Sequence, residues 1–141
     1  MRCLGVDLGN RRVGLAVSDE AGLVAAPLGR CDVKSLNDAL SQVAEAAREY
    51  QAECIVVGHP RNLDGRAGKK AREHELFAET LRERGFTVEL WDERLTSEEA
   101  ERRLRSAGLD GRQRRQHIDA LAAQILLQSF LQARGHEPLS G

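Results

Sequence analysis

Residues 2–19 read RCLGVDLGNRRVGLAVSD, and how this stretch divides decides the fold. Two short apolar runs, 2–8 and 12–18, flank Gly9-Asn10-Arg11, which predicts two strands joined by a tight hairpin. Along the first run Leu4, Val6 and Leu8 take one face, while Cys3, Gly5 and Asp7 take the other. An ionised carboxylate inside such a strand is costly unless it is paired or bound to a cation. Gly5 and Gly9, on either side of Asp7, leave room for something bulky to approach the backbone. Arg11 or Arg12 could pair with Asp7, which is the simplest structural account of one such acid.

Outward from this hairpin, residues 23–30 with Pro27 predict a third, edge-like strand. From Ser35, a plausible N-cap, the pattern turns helical: Leu36, Leu40, Val43, Ala47 and Tyr50 recur on one stripe. CIVVG at 54–58 predicts a strand buried on both faces. The loop HPRNLDGRAG leads into a helix from about Ala67 to Arg84, closed by Gly85. FTVELWDE at 86–93 is the next strand, and Thr96-Ser97-Glu98-Glu99 starts a helix that stops near Gly108. After the linker GLDGR a last helix is expected from about Arg114 to Ala133. The order β-β-β-α-β-α-β-α-α implies an α/β fold: a mixed sheet covered by helices on its faces. The chain reads as a single domain, 1–141, with a flexible C-terminal tail from about Gly135.

The 141 residues, 41% hydrophobic and 30% charged, fit one soluble core. No apolar run approaches a membrane span and no signal segment opens the chain, so a cytoplasmic protein without membrane partners is expected. Cys3, Cys31 and Cys54 are odd in number and contain no C-x-x-C pair, which argues against both a disulfide framework and a zinc site. Net charge is -1, but its distribution is uneven. RRLRSAGLDGRQRRQH at 102–117 sets six arginines, including Arg112, Arg114 and Arg115, against Asp110 alone. RNLDGRAGKKARE at 61–73 is also basic. Such clusters can neutralise phosphates and make nucleic acid a candidate partner; a solvated helix face is the plainer explanation.

Two further places in the chain set acids in positions like that of Asp7. Asp92 and Glu93 end the apolar strand FTVELW, and strand alternation lets only one of them face the same side as Asp7. Arg94 follows and could pair with the other. Asp119 shares a helical face with Ala122, Ala123, Leu126 and Phe130, so it points toward the body of the domain. The two alanines would let that helix sit close to the sheet. Several carboxylates without a His/Cys partner set suit Mg²⁺ or Mn²⁺. Two such ions about 4 Å apart can activate water and stabilise the leaving oxygen of a phosphodiester. Separate salt bridges explain each acid alone less economically than a shared cation explains all three. His59, in the loop, is a substrate contact at most, and Trp91 reads as core. The Walker-type, G-x-S-x-G and H-E-x-x-H motifs are missing, which removes the usual ATPase, esterase and zinc-protease readings.

Four blocks together resemble the YqgF/RuvX family of small bacterial nucleases: GVDLGNRRVGLAVSD at 5–19, VGHPRNLDG at 57–65, DERLTS at 92–97 and DALAAQILLQ at 119–128. The resemblance spans nearly the whole chain. It implies an RNase H-like fold, a five-stranded mixed sheet whose first three strands are antiparallel, flanked by helices on both faces. It further implies that Asp7, Glu93 and Asp119 are the catalytic, metal-binding acids, and that Asn10, Arg11 and Arg12 border the substrate. His59 departs from the family pattern, where a hydrophobic residue precedes the proline. A fourth acid has two candidates, Asp92 and Asp64. The implied activity is divalent-metal-dependent phosphodiester hydrolysis leaving a 5′-phosphate and a 3′-hydroxyl. Two substrates follow from the family, the 5′ end of pre-16S ribosomal RNA and the Holliday junction. A resolvase acting symmetrically on a four-way junction would need a homodimer, which an RNA nuclease would not.

Two other classes compete. DLGNRRVG also resembles the first phosphate loop of actin-like sugar kinases and heat-shock ATPases, but those enclose ATP between two such domains, and no second D-x-G loop is present. A non-catalytic nucleic-acid-binding module is the other, and retention of all three acids speaks against it.

Overall fold

A computed structural model describes residues 1–60, 66, 68–93 and 118–135, with only the backbone at 118 and 119. The described elements are β1 (Cys3–Leu8), β2 (Arg12–Ser18), β3 (Ala25–Asp32), α1 (Leu36–Glu49), β4 (Cys54–His59), α2 (Lys69–Glu83), β5 (Val88–Asp92) and α3 (Ile118–Gly135). The helix expected from Thr96 to Gly108 lies outside the described residues. Among those described, no helix is long and apolar enough to cross a membrane.

The strands form one sheet in the order β3-β2-β1-β4-β5. β1–β2 and β2–β3 are antiparallel, while β1–β4 and β4–β5 are parallel. Tight turns suffice for the first two connections; each parallel pair needs a crossover, which α1 and α2 supply. β3 lies at the sheet edge, where Pro27 is tolerated because its missing N–H faces no further strand. It starts at Ala25 rather than 23, because the Asp19 carboxylate accepts from the N–H groups of Leu23 and Val24 at 2.8 and 2.9 Å. That local bond holds 19–24 as a turn. Helix α1 begins as expected: Ser35 Oγ accepts from Asp38 N at 3.1 Å. Gly85, with φ +96°, ends the α2 region.

Strand alternation gives the sheet two unlike faces. One carries Leu4, Val6, Leu8, Val13, Leu15, Ile55 and Val57, packed on α1 and α2 through Leu40, Val43, Phe77 and Leu81. The other carries Cys3, Ala16, Cys54 and Val56 against Ala123, Leu127 and Phe130 of α3. Gly5 lies on this second face. A Cβ there would come within 2.8 Å of Leu127 Cβ and 3.0 Å of the Ala123 carbonyl oxygen. The space beside Gly5 is therefore taken by α3 and not by a ligand, and Gly9 is likewise crowded by its own turn, 2.8 Å from Arg12 O. Of the two alanines expected to allow close approach, Ala123 is buried and does so, while Ala122 is exposed. Two glutamines of α3 fix the edge strand: Gln128 Oε1 accepts from Ala25 N, and Gln124 Nε2 donates to Ala25 O, both at 2.9 Å.

Candidate active site

Asp7 sits at the C-terminal end of β1, half-buried on the α3 face. Its antiparallel partner on β2 is Gly14. On the other side the parallel register runs Gly5↔Val56 and Val6↔Val57, so the next residue of β4, Gly58, comes beside Asp7. Both neighbours of the carboxylate in the sheet therefore lack side chains.

Glu93 occupies the space that Gly58 leaves. A Cβ on Gly58 would lie 2.5 Å from Glu93 Oε1 and 3.2 Å from its Cγ and Cδ. The β4–β5 register, Gly58↔Trp91 and His59↔Asp92, explains which acid arrives here. Trp91 and Glu93 belong to the α3 side, and Asp92 goes with His59 to the opposite face. The Glu93 carboxyl is pushed above its ordinary value, first by burial and then by the negative charge of Asp7, with His74, Lys70 and His59 acting the other way. Glu93 and Asp7 thus bring carboxylate oxygens to the same face of the sheet, close enough for the charge of one to act on the other.

Asp119 is the second residue of α3, and its side chain lies outside the described residues. The helix backbone still gives its level. Ala123 and Leu127 lie over Gly5, and Leu131 reaches Gly22 beside Met1, so α3 runs opposite to β1. One turn back from Ala123 is roughly 6 Å along the helix, and two residues on from Gly5 is roughly 6–7 Å along the strand. Residue 119 and Asp7 thus come to the same end of the sheet. Among the described residues, no group of three His, Cys, Asp or Glu side chains gathers as a metal site.

The hairpin residues Asn10, Arg11 and Arg12 are exposed beside this end of β1. Arg94, Arg112, Arg114 and Arg115 lie outside the described residues, as does Asp64. His59 is not in a loop: it is the last residue of β4, 4% exposed, with Nε2 2.8 Å from Glu75 Oε1. Burial in that pair takes it away from a substrate. Trp91 packs edge-on to Phe130, ring centroids 5.6 Å apart, as a core residue should.

Two residues were not anticipated. Gly58 gives Glu93 its place, and the only sequence signal was a glycine at the end of an otherwise apolar strand. His74, buried on α2, donates from Nδ1 to the Gly58 carbonyl at 2.7 Å and so fixes the strand beneath Glu93. Nothing in the helical pattern separated it from an ordinary interior histidine.

Comparison with known proteins bears on this arrangement. The family model described as "RuvX: Holliday junction resolvase" matches residues 1–133. A protein of Anaeromyxobacter sp. (strain K), named "Putative pre-16S rRNA nuclease", is 47% identical over 135 residues, which is 95% of this chain and 98% of that one. Thermus thermophilus RuvC, solved in complex with a Holliday junction substrate, superposes with a TM-score of 0.63 at 22% identity, covering 96% of this chain and 97% of that one. Fowlpox virus resolvase, solved with substrate Holliday junction DNA, gives 0.59 at 12% identity, over 95% and 99%. At such identities the likeness concerns the fold, which is RNase H-like.

Proposed function

Because the chain belongs to the RuvX Holliday junction resolvase family, we propose that it is a divalent-metal-dependent nuclease whose substrate is the 5′ end of pre-16S ribosomal RNA. The observation that carries the catalytic reading is the meeting of Asp7 and Glu93 on one sheet face, with glycine on both sides of Asp7. The name borne by the relative at 47% identity supports the RNA substrate. The family description supports a second substrate, branched DNA.

Asp7, Glu93 and Asp119 are the catalytic residues on this reading and hold the metal. The fit is favourable: the donors are all carboxylate oxygens, and burial, followed by the charge of Asp7, disfavours an ionised Glu93. A pair of Mg²⁺ or Mn²⁺ ions, when bound, supplies charge neutralisation at the phosphodiester and a more acidic water. Gly14 and Gly58 keep the floor beside Asp7 low enough for a phosphate to reach the carboxylates. His74 holds Gly58, and through it the seat of Glu93. Asn10, Arg11 and Arg12 line the approach, and Arg94, Arg112, Arg114 and Arg115 are assigned to backbone phosphates from their charge. The products carry a 5′-phosphate and a 3′-hydroxyl. Three cysteines, odd in number and without a C-x-x-C pair, accord with a cytoplasmic setting. A homodimer is required only for the junction substrate.

The test is cleavage of precursor ribosomal RNA and of a four-way DNA junction side by side. Asp7→Asn should lower cutting by about 1,000-fold or more while leaving the circular dichroism spectrum unchanged. Cutting that survives this substitution, or that is indifferent to chelation, overturns the reading. Faster cutting of the junction than of the RNA makes branched DNA the substrate.

A further inference from the structure

A cavity of about 300 Å³ opens where β1 ends and α1 and α2 begin. Its lining is apolar at Leu8, Val33, Leu36 and Ala39 and polar at Asn10, Ser35, Lys70, Glu73 and His74. From this cavity we infer that the chain holds an unstacked nucleobase of its substrate strand, next to the scissile phosphate. The inference rests on the nuclease reading and deepens it.

Position is the first reason. Leu8, Gly9 and Asn10 follow Asp7 directly, and Leu8 faces the side of the sheet away from it. His74 lines the cavity while its Nδ1 holds the Gly58 carbonyl beneath Glu93. The cavity and the carboxylates therefore share one strand end but lie on opposite faces of it. A strand whose phosphate rests at Asp7 and Glu93 brings a neighbouring base over the hairpin end to the cavity mouth.

Chemistry is the second. Leu36 begins α1 on its apolar stripe, yet it is 43% exposed and covers nothing in the core. With Val33 and Ala39 it makes a wall suited to the face of a flat ring. The polar part of the lining mixes donors and acceptors: the Asn10 amide offers both, Lys70 donates, and the Glu73 carboxylate accepts. Glu73 disfavours a bare anion there, although the cavity adjoins two helix N-termini. A base edge, with carbonyl, ring N–H and exocyclic amine, meets such a mixed set. The volume lies at the small end for ligand pockets, roughly 300–1,000 Å³. It suits one ring system rather than a stacked pair.

The experiment has two arms on the full chain. In the first, the four ribonucleoside 5′-monophosphates and base-free ribose 5-phosphate are titrated while the methyl resonances of Val33 and Leu36 are followed. At least one nucleotide should shift them saturably, ribose 5-phosphate should not, and Leu36→Ser should weaken the binding seen at Val33 about 5-fold or more. In the second, strands carrying one abasic nucleotide at successive positions around the cut are tested for cleavage. Wild type should slow about 10-fold at one position; in Leu36→Ser that position should lose its distinction. Methyls that stay still, methyls that respond equally to ribose 5-phosphate, or a flat abasic profile each overturn the base pocket. Metal-dependent cutting with a flat profile breaks the pocket and leaves the nuclease standing. Absence of cutting breaks the nuclease instead, and the titration then judges the pocket alone.

Discussion

The two faces of the sheet are built from the same strands and do different work. The face under α1 and α2 is filled by Leu4, Val6, Leu8, Ile55 and Val57, branched side chains that are all buried. The face under α3 carries smaller residues along its centre, Cys3, Gly5, Ala16, Cys54 and Val56, and then Gly14 and Gly58. Small residues let α3 lie against the backbone at one end. At the other end they leave a shallow floor on which Asp7 and Glu93 stand. A thick layer stabilises the fold, and a thin one makes space for charge.

The largest expected difference between the faces is in stability. Leu4→Ala on the thick face should cost about 2–5 kcal/mol in denaturant unfolding, since Leu4 is fully buried and its loss leaves a cavity. A cost below 1 kcal/mol would mean that this face is not the main core. On the thin face the same assay should respond to adding a methyl group instead. Gly5→Ala drives a Cβ into Leu127 Cβ and the Ala123 carbonyl, neither of which can swing aside, at about 1–3 kcal/mol.

Gly58→Ala separates the two ends of the thin face. Its Cβ meets the end of the Glu93 side chain, which can move, so stability should change by less than about 0.5 kcal/mol. Cleavage should fall about 10-fold or more as the carboxylate is displaced. Destabilisation matching that of Gly5→Ala, with activity intact, would erase the distinction.

The smallest effect is set by pH. Burial and Asp7 raise the Glu93 carboxyl above its ordinary value. The contribution of a group raised in this way is fully present below the unfolded value and is lost as pH rises through the folded one. Toward neutral pH the metal-free protein therefore loses that contribution. Glu93→Gln, neutral throughout, should melt slightly higher there, by about 2 °C, with the gain vanishing near about pH 4. A variant that melts lower at neutral pH would show that Glu93 is held by favourable partners, not strained by an unfavourable one.

Much of this was legible in the chain. Alternation in RCLGVDLG and the spacing of Leu40, Val43 and Ala47 identified strand, helix and buried face, because each depends on residues a few positions apart. Strand limits shifted where a side chain bonded its own backbone, as Asp19 does in the turn before β3. The site was legible in part. Asp7 stood out as a carboxylate in an apolar strand and Asp119 as one on an apolar helix face, while of Asp92 and Glu93 only resemblance pointed to Glu93. Gly5 showed only that something bulky lies against the backbone, since a glycine that admits a ligand and one that admits a helix look alike in sequence.

What the sequence by itself determined is the set of elements, their inward faces and the oddity of an acid on β1. These follow from local periodicity and the cost of burying charge. Only the tertiary structure decided that Glu93 and not Asp92 stands beside Asp7, that Gly58 makes its seat, and that His59 turns away to Glu75. Each depends on the register of β1, β4 and β5. One step of register turns every side chain of a strand to the other face, and that step is set by contacts far apart in the chain.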